Sequence, residues 1–78
     1  MQTFVIAIAK GSRNDSVAVT ARTEELAKLG AAITWPGYQV GEVTKIVPAG
    51  HYYAGLDASD YTDADLPWLR RQVERRAA

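Results

Sequence analysis

The chain has 78 residues, with nine Lys and Arg against nine Asp and Glu, one His, no Cys, and 47% hydrophobic residues. A chain this short buries only about 60% of the surface that its unfolded form exposes, so one domain spanning residues 1–78 with a single shared core is expected. The absence of cysteine excludes a disulfide framework, a thiolate zinc site and a thiol nucleophile, and makes an intracellular setting the default expectation. The longest apolar stretch, Phe4 to Ala9, is far short of the roughly 20 residues of a membrane span and follows no basic leader.

In chain order, Thr3 to Ala9 alternates Phe4, Ile6 and Ile8 with Val5, Ala7 and Ala9, the pattern of a strand buried on at least one side. Lys10 to Asp15 is dense in turn formers, and Ser16 to Ala21 resumes a β-branched pattern, which predicts a hairpin with a polar tip. Thr23 can cap a helix; Glu24 and Glu25 suit its positive end, and Glu24 with Lys28 forms an i,i+4 pair. Leu26, Leu29 and Ile33 supply the apolar stripe, with Gly30 beside it where backbone can approach the sheet, and Pro36-Gly37 ends the helix. Val40 to Val47 reads as a third strand, with Val43, Lys45 and Val47 on one face, Ile46 on the other and Gly41 as the mark of a bulge. His51 to Leu56 is expected to return as a fourth strand beside the third. Asp57 to Asp65 reads as an acidic surface loop, with Asp65 capping a final helix that holds Pro67 in its first turn and Leu66, Leu69, Val73 and Ala77 on one stripe. The expected fold is therefore α+β: an antiparallel sheet of three to four strands in the order β-β-α-β-(β)-α, built from two antiparallel hairpins with helices packed on one face.

Neutrality conceals a polarised layout. Residues 1–56 carry net +1, residues 57–65 carry four Asp and no base, and residues 66–78 carry four Arg and Glu74. A balanced charge gives no general attraction to nucleic acid, so function is expected from local patches acting within a Debye length of about 8 Å. His51 is the one side chain suited to proton transfer near neutrality; with no Cys, and Ser residues only in loops, it has few nucleophiles to activate, so no catalytic site and no enzyme is expected. The acids Asp57, Asp60, Asp63 and Asp65 do not form a calcium loop: counted from Asp63, Glu74 falls at the twelfth position, but Pro67 and Trp68 occupy the ligand and glycine positions. Neither metal nor cofactor is expected. The acidic loop reads as solvated surface, or as a contact for a basic partner that it meets by imitating phosphate charge.

Three groups remain as candidate partner-binding residues. Lys10 and Arg13 flank the first hairpin tip, with Lys28 and Lys45 as further contributors to a basic surface. On the last helix, Arg70 is expected to pair with Glu74, leaving Arg71 and Arg75 opposite the apolar stripe and next to Trp68. Six of the seven aromatics follow residue 34, and in so small a domain some of them are left exposed as interface anchors.

The opening hairpin TFVIAIAKGSRNDSVAVTA, the helix TEELAKLGAAI and the strand GEVTKIV, together covering residues 3–47, resemble the small phage and mobile-element anti-CRISPR proteins. The layout is similar to a type I-F inhibitor, and the chain as a whole looks like a type I-C one. The resemblance implies a non-enzymatic protein acting in the cytoplasm of the bacterial host, which binds subunits of the RNA-guided surveillance complex (Cascade) and blocks its engagement of target DNA, with basic side chains also able to hold DNA. It matches Lys28 to the family's helix lysine; Lys10, Arg13 and Lys45 are candidates by surface chemistry. The segment from Asp57 onward departs from the type I-F pattern. A free-standing nucleic-acid-binding module using Trp68, Arg71 and Arg75 is the competing reading.

Overall fold

A computed structural model of the protein describes residues 1–48 and 55–77. The chain runs β1 (Gln2–Lys10), β2 (Arg13–Ala21), α1 (Glu24–Thr34), β3 (Gln39–Pro48), β4 (Leu56–Asp57), a 3-10 turn (Asp63–Asp65) and α2 (Leu66–Ala77). The strands form one sheet in the order β3-β1-β2-β4. This is the expected α+β fold, with one change of topology. β1 pairs antiparallel with both β2 and β3, but β4 lies parallel to β2 at the opposite edge from β3, where a return beside the third strand was expected. The sheet is therefore mixed, with a single hairpin among the described residues. Of the expected fourth strand only Leu56 is described as strand, and His51, Tyr52 and Tyr53 lie outside the described residues.

β1 and β2 form the hairpin in continuous register from Gln2 opposite Ala21 to Lys10 opposite Arg13. The turn is only Gly11-Ser12, shorter than the composition indicated, because ladder pairing draws Arg13, Asn14 and Asp15 into the strand. Gly11 takes φ +61 at the first central position, a left-handed conformation that glycine adopts without steric cost and that matches a two-residue hairpin turn to the strand twist. Phe4, Ile6 and Ile8 point to the helix layer and are buried with Val19, Ala21, Leu26, Ala27, Ala31, Ala58 and Leu69. On the other face Thr3 is fully buried and shares a 2.8 Å hydroxyl–hydroxyl bond with Thr20 directly opposite, which satisfies both groups without water.

β3 carries two bulges against β1. Ile6 faces Val43 and Ile8 faces Val40, so Gly41 and Glu42 share the place opposite Ala7; Val5 faces Lys45, so Thr44 is also supernumerary. The Gly41 bulge was legible in the sequence, but the one at Thr44 was not, and it changes the facing. Val40, Val43 and Ile46, three residues apart, share the helix side, while Lys45 and Val47 turn to the other side. The Thr44 hydroxyl donates to the Val5 carbonyl at 3.3 Å, partly offsetting the lost ladder bond.

Thr23 caps α1, its Oγ1 accepting from Leu26 N–H at 3.2 Å. The most buried face of α1 is Leu26, Ala27, Gly30 and Ala31, rotated from the Leu26, Leu29 and Ile33 stripe, because the small residues let the helix descend closest to the sheet. A methyl group built on Gly30 would lie 3.4 Å from Ala58 Cβ and 3.5 Å from Leu56 Cδ2, so there is room for that group and nothing larger. α2 packs chiefly on α1 through Leu69, which is fully buried, with Leu66 beside it. No helix among the described residues is long and apolar enough to cross a membrane.

Gly30→Ala is expected to raise stability by about 0.5–1 kcal/mol, the gain from replacing a helix-interior glycine, and Gly30→Leu to lower it. Leu69→Ala should cost about 2–5 kcal/mol, as a buried leucine truncation does. Urea unfolding monitored by circular dichroism measures all three.

Candidate interaction surfaces

The seven candidate partner-binding residues fall on four separate parts of the molecule. Lys10 and Arg13 are direct cross-strand neighbours at the hairpin tip. Lys10 is drawn back over the loop that follows α1: its Nζ lies 5.6 Å from the centroid of the Tyr38 ring, within cation–π range. Lys28 projects from α1 and pairs with Glu24 at 3.5 Å, the expected i,i+4 bridge. Lys45 pairs in register with Val5, on the face of the sheet opposite the helices. Lys28 and Lys45 are thus separated by the sheet itself, and the single basic surface expected from Lys10, Arg13, Lys28 and Lys45 does not form.

The α2 group does come together. Trp68, Arg71 and Arg75 stand three and four residues apart and share one helical face, Trp68 is 48% exposed, and both arginines are exposed. Arg70 does not pair with Glu74 as expected. Its guanidinium reaches the Glu25 carboxylate at 2.5 Å, across to the first turn of α1. A partner 45 positions away leaves no mark in local spacing, so the sequence had no signal for it. Both groups are about half exposed, and such a pair contributes little free energy, but together with buried Leu69 it fixes the roll of α2. That roll turns Trp68, Arg71 and Arg75 outward. Arg71 and Arg75 have no ion-pair partner among the described residues. The Arg70–Glu25 bridge sits at the start of α1, which follows the end of β2 away from Arg13, so it lies at the opposite end of β2 from the hairpin tip.

The acidic segment is ordered by local bonds. Asp57 Oδ1 accepts from Ser59 N–H at 2.9 Å, and Arg22 Nε donates to the Ser59 carbonyl at 3.1 Å. Asp65 directly precedes α2, the expected cap position, and is also the last residue of a 3-10 turn capped by Thr62, where Asp65 Oδ2 accepts from Thr62 N–H at 2.8 Å. The carboxylate of Asp65 therefore closes the turn from inside. Pro67 does fall in the first turn of α2, where its missing N–H costs nothing. Among the described residues no group of three or more His, Asp or Glu side chains is arranged to hold a metal ion. One concavity that sequence reasoning missed, about 460 Å³, lies beside the hairpin tip and is lined by Ala7, Ala9, Asn14, Gln39 and Gly41. Its floor is low because the smallest side chains of β1 and β3 meet there.

Hydrogen bonds from the Ser59 hydroxyl and then the Ser59 N–H hold the Asp57 carboxyl below the ordinary aspartate range. A depressed folded-state value means a contribution that is present above about pH 4 and is lost as the pH falls through the folded-state value. Asp57→Asn should therefore flatten the loss of stability on acidification below about pH 4, read from urea midpoints along a pH series; an unchanged slope would remove the bond's role. Comparison with family models, curated proteins and solved structures gave no match to this chain.

Proposed function

We propose that this protein is a stoichiometric inhibitor that binds an RNA-guided type I CRISPR surveillance complex, of the I-C kind, in the bacterial cytoplasm and blocks its engagement of target DNA without any turnover. The resemblance of residues 3–47 to small anti-CRISPR proteins supports the kind of partner. The observation that carries a binding role is the outward stripe of Trp68, Arg71 and Arg75 on α2. Tryptophan and arginine are the residue types that dominate interface energetics when they are desolvated together, and here two arginines keep their charge free for a partner. Lys10 and Arg13 form a second, smaller contact at the hairpin tip. Lys28 is already engaged by Glu24, so its share is a charge that a partner carboxylate would have to win from that bridge.

The same stripe favours a second reading, in which a base stacks on Trp68 and phosphates meet Arg71 and Arg75 without any protein partner. Gel-shift titration of labelled target duplex with a purified type I complex separates the two. The expected result is loss of the target-bound species at stoichiometric inhibitor, no shift in a control containing only inhibitor and DNA, and at least tenfold weaker inhibition for Trp68→Ala and Arg71→Glu. Undiminished target binding would overturn the proposal. A salt-sensitive shift in the control would replace it with the nucleic-acid reading.

A further inference from the structure

The two outer edges of the sheet are finished differently. On the β2 side, β4 covers Val19 and Thr20, the Thr20 carbonyl accepts from Ala58 N–H at 2.8 Å, and the Asp15 carboxylate occupies the Ser16 N–H at 2.9 Å. On the β3 side, Gln39–Pro48 runs ten residues with no outer strand among the described residues. Its side chains are not uniformly polar: Ile46 is 48% exposed and Val40 and Val43 are half-buried, all three on the helix side.

The two bulges give this edge a hidden symmetry. In a regular strand Glu42 and Lys45 would point to opposite faces. The extra residue at Thr44 brings Lys45 to the open face, where Glu42, next to helix-facing Val43, also turns. Measured against β1, Lys45 then lies one step to one side of Val43, level with Val5, and Glu42 one step to the other, level with Ala7. Ile46 and Val40 lie two steps away on either side, level with Phe4 and Ile8. The edge is self-complementary about Val43.

We infer that β3 is the contact for a second copy of this chain, paired antiparallel about a two-fold axis through Val43. In that register each Lys45 faces the other copy's Glu42, and each exposed Ile46 faces the other copy's Val40 on the helix side. Neither Glu42 nor Lys45 has an ion-pair partner of its own among the described residues. Bulges at an edge ordinarily reject a regular incoming strand. A second copy carries the same two bulges in mirrored order, so its extra twist matches where that of a foreign strand does not. The zero net charge removes the general repulsion that keeps copies apart. The result is one sheet of eight strands. This inference does not rest on the anti-CRISPR reading and stands or falls without it.

The contact is small, so pairing is concentration-dependent. Sedimentation equilibrium of the full chain over a micromolar to millimolar series should show a reversible rise from 8.5 kDa toward twice that mass. Glu42→Lys and Lys45→Glu, each checked for an unchanged circular dichroism spectrum, should each weaken association at least tenfold, because each sets like charges against each other twice. An equimolar mixture of the two variants should regain it, since every contact in the mixed pair is again Lys against Glu. A wild-type chain that stays at monomer mass throughout, single variants that associate as well as wild type, or a mixture no better than its components would each overturn the inference.

Discussion

Every element of this fold is placed by reference to β1, the one strand hydrogen-bonded to long partners along both edges. Its two faces carry different constraints. Phe4, Ile6 and Ile8 must be covered by a helix, and α1 supplies that cover; Thr3 must satisfy its hydroxyl away from water, and Thr20 supplies the partner. Because β2 and β3 both run antiparallel to β1, they are parallel to each other, and α1 is the crossover between them. The helix is therefore held at both ends by strands that straddle β1, which leaves its long axis little choice.

Elements whose identity rests on local chemistry were legible in the chain. The alternation of Phe4, Ile6 and Ile8, the Thr23 cap, the Glu24–Lys28 pair and the α2 stripe of Leu66 and Leu69 each involve residues within a few positions of one another, where spacing and side-chain type carry the information. The failures share a different cause. The parallel seat of β4, the Arg70–Glu25 bridge and the burial of Ala27 and Ala31 ahead of Leu29 all depend on which element lies alongside which, and no local pattern encodes that. The Thr44 bulge is the sharpest case, since inserting one residue into a pairing leaves the strand's composition unchanged while reversing the facing of everything beyond it.

The candidate site was legible to the same degree. Trp68, Arg71 and Arg75 lie within eight residues of one helix, and their shared face followed from helical periodicity alone. Lys10, Arg13, Lys28 and Lys45 come from three strands and a helix, and their placement required the sheet order. Charge in this molecule is thereby partitioned by layer: the α2 arginines decorate the helix layer, the Asp57–Asp65 acids rim the β4 edge, and Lys45 belongs to the other side of the sheet. A neutral total is the sum of these local fields.

The central place of β1 also sets an order of events as the chain emerges during synthesis. The hairpin of β1 and β2 is complete once Ala21 is available, but the other edge of β1 finds its partner only when Gln39–Pro48 has been made. Roughly one to five seconds of elongation separate the two, at typical rates of about 5–20 residues per second. Throughout that interval Phe4, Ile6 and Ile8 belong to a two-stranded ribbon with both edges bare, a species of marginal stability in water. The strand that organises the finished fold thus stays half-paired while the helix and the third strand are made, and the nascent chain is open to mispairing until that third strand arrives.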